Sequence, residues 1–206
     1  MPLDVMEGSD TVRHIFIFLL MVMLSPISWG SDFAKGLDTY EKEDFATALR
    51  EWTPLAEQGD AGLQYFVGMM YQEGVFGVLQ DHKTAVKWYT LSARQGYANA
   101  QYNLGWMYHQ GQGVLQDYKA AVKWYTLAAE QGDASAQYNL GWMYYLGKGV
   151  IKDYVYSHMW LNIASSNSAE KAGELRDVLA KDLTPQQLER AQQLARECVA
   201  KDYKGC

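Results

Sequence analysis

Late in the chain the apolar positions Ala136, Leu140 and Tyr144 fall at i, i+4 and i+8, which is one face of an α-helix. Gly147-Lys148-Gly149 follows and predicts the end of that helix, because glycine takes the left-handed conformation of a helix terminus readily. Asp153 then stands where a carboxylate caps a new helix by accepting backbone N–H bonds. In the preceding stretch Ala121, Trp124, Tyr125 and Ala128 share one face, and Gln131-Gly132 closes it. The pattern predicts pairs of helices. Small alanines let the helices approach, and tryptophans fill the space beside them.

The pairs repeat. Asp81, Asp117 and Asp153 are 36 residues apart, as are Trp88, Trp124 and Trp160. Gly105 and Gly141, Met107 and Met143, and Tyr108 and Tyr144 keep the same spacing. Gly68, Met70 and Tyr71 are earlier copies, one residue further away because of the loop Gly74-Val75-Phe76-Gly77-Val78. The heptapeptide Ala-Val-Lys-Trp-Tyr-Thr-Leu stands verbatim at 85–91 and 121–127. A fixed period of this length marks a solenoid, in which each unit buries its apolar face against its neighbours.

The string Ala136-Gln-Tyr-Asn-Leu140-Gly141-Trp-Met-Tyr144, then Gly147-Lys-Gly149-Val150, Asp153, Trp160 and Ala164, resembles the Sel1-like repeat, a relative of the tetratricopeptide repeat. The pattern recurs from Ala100 to Ala128 and, with Gly62 in place of Ala, from Gly62 to Ala93, so the resemblance covers roughly 59–167. It implies an all-α fold: a right-handed α/α solenoid of tetratricopeptide-like helix pairs with helical end caps. The repeats are expected at 59–95, 96–131 and 132–167. Residues 31–58 read as a degenerate first helical pair, with Ala48 and Trp52 on its second helix. Residues 168–206 read as capping helices. The last of these starts with a capping box, Thr184-Pro185-Gln186-Gln187, and a Leu183–Leu188 staple.

Ile15 to Leu24 is an unbroken apolar run, preceded by Arg13-His14 and followed by Pro26 and the small residues Ser28 and Gly30. This is the layout of a signal peptide over 1–30, cut after Gly30, and it is about half the length needed to span a bilayer. Asp4, Glu7 and Asp10 make its leading segment poorly cationic, and Met6 is an alternative start. An uncleaved anchor is the competing reading. Expected localisation is therefore periplasmic or secreted, without stable membrane insertion once the segment is removed. The only two cysteines, Cys198 and Cys206, are a disulfide pair in an oxidising compartment or else two free thiols.

Composition narrows the partner. Hydrophobic residues make up 49% of the chain and aromatic residues 14%, enough apolar surface to offset the entropy of ordering. The net charge is −6 with no run of Lys and Arg, which argues against nucleic acid, since a phosphate backbone calls for a basic surface.

A second stripe runs opposite the core stripe on the first helix of each repeat: Tyr65, Met69 and Gln72; Tyr102, Trp106 and His109; Tyr138, Trp142 and Tyr145. These residues either line the concave groove of the solenoid or pack successive first helices together. Aromatic side chains suit a binding groove because they bury large areas at low entropic cost. In tetratricopeptide-like folds an Asn at the corresponding position bonds a peptide backbone, so the resemblance implies that role for Asn103 and Asn139. The other reading has them bonded within the solenoid.

Catalysis finds little support. None of the four histidines is spaced for a metal or paired with a legible partner. Gly111-Gln112-Gly113 and Gly147-Lys148-Gly149 follow helices and lack the Gly-Lys-Ser/Thr ending of a phosphate loop. No catalytic residue, metal or cofactor is expected. The resemblance implies a protein or peptide interaction module, an adaptor or regulator. The alternative is a cell-wall-related enzyme or binder, as in Sel1-like proteins that bind penicillin-like compounds or hydrolyse them weakly. Those carry a cysteine pair in each repeat, which residues 59–167 lack.

Overall fold

The structure is a computed structural model that describes residues 31–74 and 77–206; the predicted signal segment lies outside the described residues. Ten helices run along it, with no strand among the described residues. They are α1 Ser31–Glu41, α2 Phe45–Glu57, α3 Ala61–Glu73, α4 His82–Arg94, α5 Ala98–Gln110, α6 Tyr118–Ala129, α7 Ala134–Leu146, α8 Tyr154–Ser166, α9 Glu170–Leu179 and α10 Pro185–Val199. Consecutive helices pack on each other from α1 to α9, whereas α10 folds back onto α8. This sequential packing makes a solenoid. The helices α3/α4, α5/α6 and α7/α8 are its three internal pairs.

Local chemistry sets the helix ends. Gly74, Gly111 and Gly147 terminate α3, α5 and α7 with φ of 64°, 71° and 69°, and their N–H groups bond the carbonyls of Met70, Met107 and Met143. Asp81, Asp117 and Asp153 each accept two backbone N–H bonds at the start of α4, α6 and α8. Thr184 and Gln187 form the reciprocal capping box of α10. Gly113 and Gly149 are held at φ of 71° and 73°, and a Cβ there would collide with the carbonyls of His82 and Tyr118. Each of these loops therefore rests its backbone on the preceding repeat.

The core is built from the expected stripe. Ala100, Leu104, Ala121, Tyr125, Ala128, Ala136 and Leu140 are all buried. Gly68, Gly105 and Gly141 leave room for Tyr89, Tyr125 and Leu161, which pack directly over them. Trp124 differs from expectation. It is half-buried, as is Tyr144 of the same expected stripe, whereas Trp160 is fully enclosed.

A buried polar ladder, not anticipated from the sequence, runs along the solenoid. Gln64, Gln101 and Gln137 each donate to the carbonyl at the end of the preceding helix, Ala56, Ala93 and Ala129, at 3.0, 3.1 and 3.2 Å. Their own carbonyl oxygens accept from Gln95, Gln131 and Asn167 at 2.8, 2.8 and 2.9 Å. Buried amides tolerate desolvation only when their bonds are made. The ladder satisfies the helix ends and the side chains together.

The far end is closed by the tail. Cys198 and Cys206 form a disulfide. Inside that loop the Tyr203 hydroxyl meets Asn167, Lys204 Nζ donates to the Glu130 carbonyl at 2.7 Å, and the Gly205 N–H donates to Glu130 Oε1 at 3.0 Å.

Candidate functional site

The first helices α5 and α7 lie side by side but do not close on each other, leaving a groove. Its volume is about 740 Å³. Tyr102, Trp106, His109 and Gln110 come from α5, and Ser135, Tyr138, Asn139 and Trp142 from α7. Ser168, Ala169 and Lys171, at the start of α9, form its far rim. Trp106 and Trp142 are half-buried, so each keeps an accessible ring edge. Six residues of the second stripe and its asparagines thus meet in one place. The contribution of α9, read from sequence only as a cap, was not foreseen. Ser168, at φ 73°, turns the chain there.

The first repeat departs from the expectation. Tyr65 is only 8% exposed and is enclosed by Phe66, Tyr89 and Tyr97, with ring centroids 5.4, 5.9 and 5.3 Å away. Asn103 donates to the Tyr89 hydroxyl at 3.0 Å and also acts on the Tyr65 phenol, opposing the effect of its burial. Tyr65 and Asn103 therefore belong to an internal lock and not to a groove. Burial drives both phenols far above their ordinary range. Met69 packs on the core, and Gln72 donates to the side chain of its neighbour Glu73, outside the groove lining.

The lock loosens along the chain. Tyr102 packs against Tyr125 at 5.9 Å, and burial raises its phenol against hydrogen bonding from Asn139 and Ser135. Asn139 thus both braces Tyr102 and lines the groove. In the third repeat Leu161 stands where Tyr89 and Tyr125 stand, and Leu175 lies 36 residues beyond Asn139. Tyr138 has neither partner of the lock and faces the groove. Tyr145, a stripe residue, sits behind the lining, stacked between Trp142 at 5.4 Å and Tyr154 at 5.5 Å. It supports Trp142 from outside.

His109 stands against Tyr118 and Tyr125, with Nδ1 3.5 Å from the Tyr125 hydroxyl. Burial, and secondarily the Lys148 ammonium, lower its pKa, which favours the neutral ring. His158, aligned with Val86 and Val122, is buried in α8. Among the described residues there is no cluster of three His, Cys, Asp or Glu able to hold a metal. No helix among them is long and apolar enough to cross a membrane.

Stacked helix pairs, glycine-stopped first helices, Asp-capped second helices and an aromatic groove define a helical-repeat protein of the interaction type. The Sel1 repeat model matches residues 62–97, 98–133 and 134–168, just over half the chain, and the protein belongs to the Sel1 repeat family. It is similar to a solved Sel1 repeat protein from Oxalobacter formigenes, with 31% identity over 68% of this chain and 57% of that one, and a TM-score of 0.63. It is also similar to a protective antigen present in uropathogenic Escherichia coli strains, which displays an SLR fold. That match has 30% identity over 84% of this chain and 46% of that one, with a TM-score of 0.51. The chain spans about half the length of these two proteins. No curated protein matches it significantly. Proteins of this family are generally non-enzymatic scaffolds for protein interaction.

Proposed function

We propose that the chain is an adaptor that holds a segment of a partner protein in the groove between α5 and α7, and that it acts in the periplasm or as a secreted protein. The observation that carries the binding claim is the convergence of Tyr102, Trp106, Tyr138 and Trp142 on one open groove. Such half-buried aromatics leave apolar area wet, and a bound segment covers it. The amide of Asn139 and the hydroxyls of Ser135 and Ser168 stand among the rings, able to bond a peptide backbone. Support for export is the signal-like 1–30 and the bonded cysteine pair, which fits an oxidising compartment.

Catalysis is the weaker reading. The groove histidine, His109, sits against the Tyr125 hydroxyl, and no Cys, Asp or Glu is among the described lining residues. Photo-crosslinking separates the readings. A crosslinking residue replacing Trp142 should capture a partner protein in envelope extract, while one replacing the exposed Lys123 of α6 should not. Equal capture from both positions would contradict the groove. Turnover of a chromogenic β-lactam, lost on mutating His109, would replace the adaptor reading with an enzyme.

A further inference from the structure

We infer that the groove selects an acidic peptide segment, an inference that rests on the reading of the groove as a peptide site. The chain carries a net charge of −6, yet Lys171 lines the groove and no Asp or Glu is among its described lining residues. Two more lysines flank it. Lys148 Nζ lies 4.9 Å over the Tyr118 ring, close enough to His109 to favour its neutral form. Lys152 Nζ lies 4.7 Å over the Tyr154 ring and 5.8 Å from that of Tyr145, which in turn stacks on Trp142.

These three cations are among the basic residues that no carboxylate pairs. Lys35, Lys42, Arg50, Arg176 and Arg190 each stand within ion-pair distance of a carboxylate. Among the described residues none of Lys148, Lys152 and Lys171 does. The capping carboxylates closest in sequence are already engaged: Asp133 accepts from the Ala136 N–H, and Asp153 from those of Val155 and Tyr156. The groove is therefore a positively framed, aromatic-walled trough on an acidic protein.

The physical consequence has two parts. Aromatic walls supply buried area without regard to sequence, and exclude water from what lies between them. Lysines at the rim set the sign of the charge that can approach, since focusing beside low-dielectric walls strengthens the field. A basic segment meets repulsion from these lysines, which is one way specificity is imposed. An acidic segment with one aromatic or aliphatic anchor satisfies both requirements.

The test is selection of short random peptides displayed on phage, using the full chain as bait. Enriched sequences should carry net negative charge and at least one large apolar residue. For a selected peptide, Lys171→Glu should weaken binding about five- to tenfold, and added salt should weaken the wild-type complex. Lys171 is exposed in the first turn of α9, where a glutamate interacts favourably with the helix dipole, so the variant should melt like the wild type. Lys148→Gln/Lys152→Gln gives a second reading of the same charge. Enrichment of neutral or basic peptides that Trp142→Ala releases but Lys171→Glu does not would overturn the charge preference and leave the peptide site standing. No enrichment over a Trp106→Ala/Trp142→Ala bait would overturn both.

Discussion

Tyr65, Tyr102 and Tyr138 occupy one register of successive repeats but meet different neighbours. Tyr65 is closed in by Tyr89 and Asn103, Tyr102 is half-held by Tyr125 and Asn139, and Tyr138 has Leu161 beneath it. Side-chain type alone does not separate core from groove here. The distinction was present in the sequence as the change from Tyr89 and Tyr125 to Leu161, but its meaning depends on which helices face each other. Leu140 and Trp142 give a sharper contrast, two residues apart on α7. Leu140 is 1% exposed and Trp142 half-buried on the groove. Leu140→Ala should cost about 2–5 kcal/mol and Trp142→Ala clearly less, measured by denaturant unfolding. Equal losses would make the aromatic stripe structural.

His158 supplies a pH prediction at the same scale. Burial, then the neighbouring Arg176, lower its pKa, with Asp177 acting the other way, and its Nδ1 has no hydrogen-bond partner among the described residues. A histidine with a depressed folded-state pKa binds its proton more readily in the unfolded chain. Stability from this group is therefore full above the ordinary histidine pKa of about 6.5 and lost as pH falls below it. His109 contributes in the same direction. His158→Val, the residue type of the two aligned positions, should make the fall of Tm between neutral and mildly acid pH shallower. An unchanged slope would place the acid sensitivity elsewhere.

Helices and their connections were largely legible, because the stopping glycines and capping aspartates recur with the repeat and act locally. Gly149 shows how a connection also joins repeats. Its φ of 73° disfavours any side chain, and a Cβ would strike the Tyr118 carbonyl at the start of α6. Gly149→Ala should lower stability by more than 1 kcal/mol, roughly, whereas Gly96→Ala, also at positive φ but with open space around it, should lower it less. Melting curves of the two variants decide this; equal effects would mean the inter-repeat contact is slack. The glutamine ladder was not read from the sequence even though Gln64, Gln101 and Gln137 are in register. An amide gives no apolar periodicity, and its burial follows only once consecutive helix ends are brought together.

Across the whole molecule the repeats are bracketed by unlike ends. At the C-terminus α10 folds back over α8, and the disulfide loop reaches Glu130 and Asn167. The tail thereby ties the end of α6 to the end of α8. Closing so short a loop removes unfolded-state entropy worth about 2–3 kcal/mol in the chain-entropy model. Reduction, or Cys198→Ser/Cys206→Ser, should lower Tm and raise amide exchange around 130–133 and 167–168. Loss of Tm without faster exchange there would mean the tail does not hold that seam. Neither this long-range contact nor the rim formed by α9 follows from periodicity, because both lie beyond the last repeat, where the pattern no longer constrains direction.

The trough between α5 and α7 is the proposed place of partner binding. Affinity of a phage-selected peptide for Trp142→Ala and for Trp124→Ala, measured by isothermal titration, tests this most directly. Both are half-buried tryptophans of the repeats, but only Trp142 lines the groove. The groove reading predicts a loss of about tenfold or more for Trp142→Ala, the size of an interface anchor, and little change for Trp124→Ala. Unchanged affinity for Trp142→Ala, or equal losses in both, would contradict it.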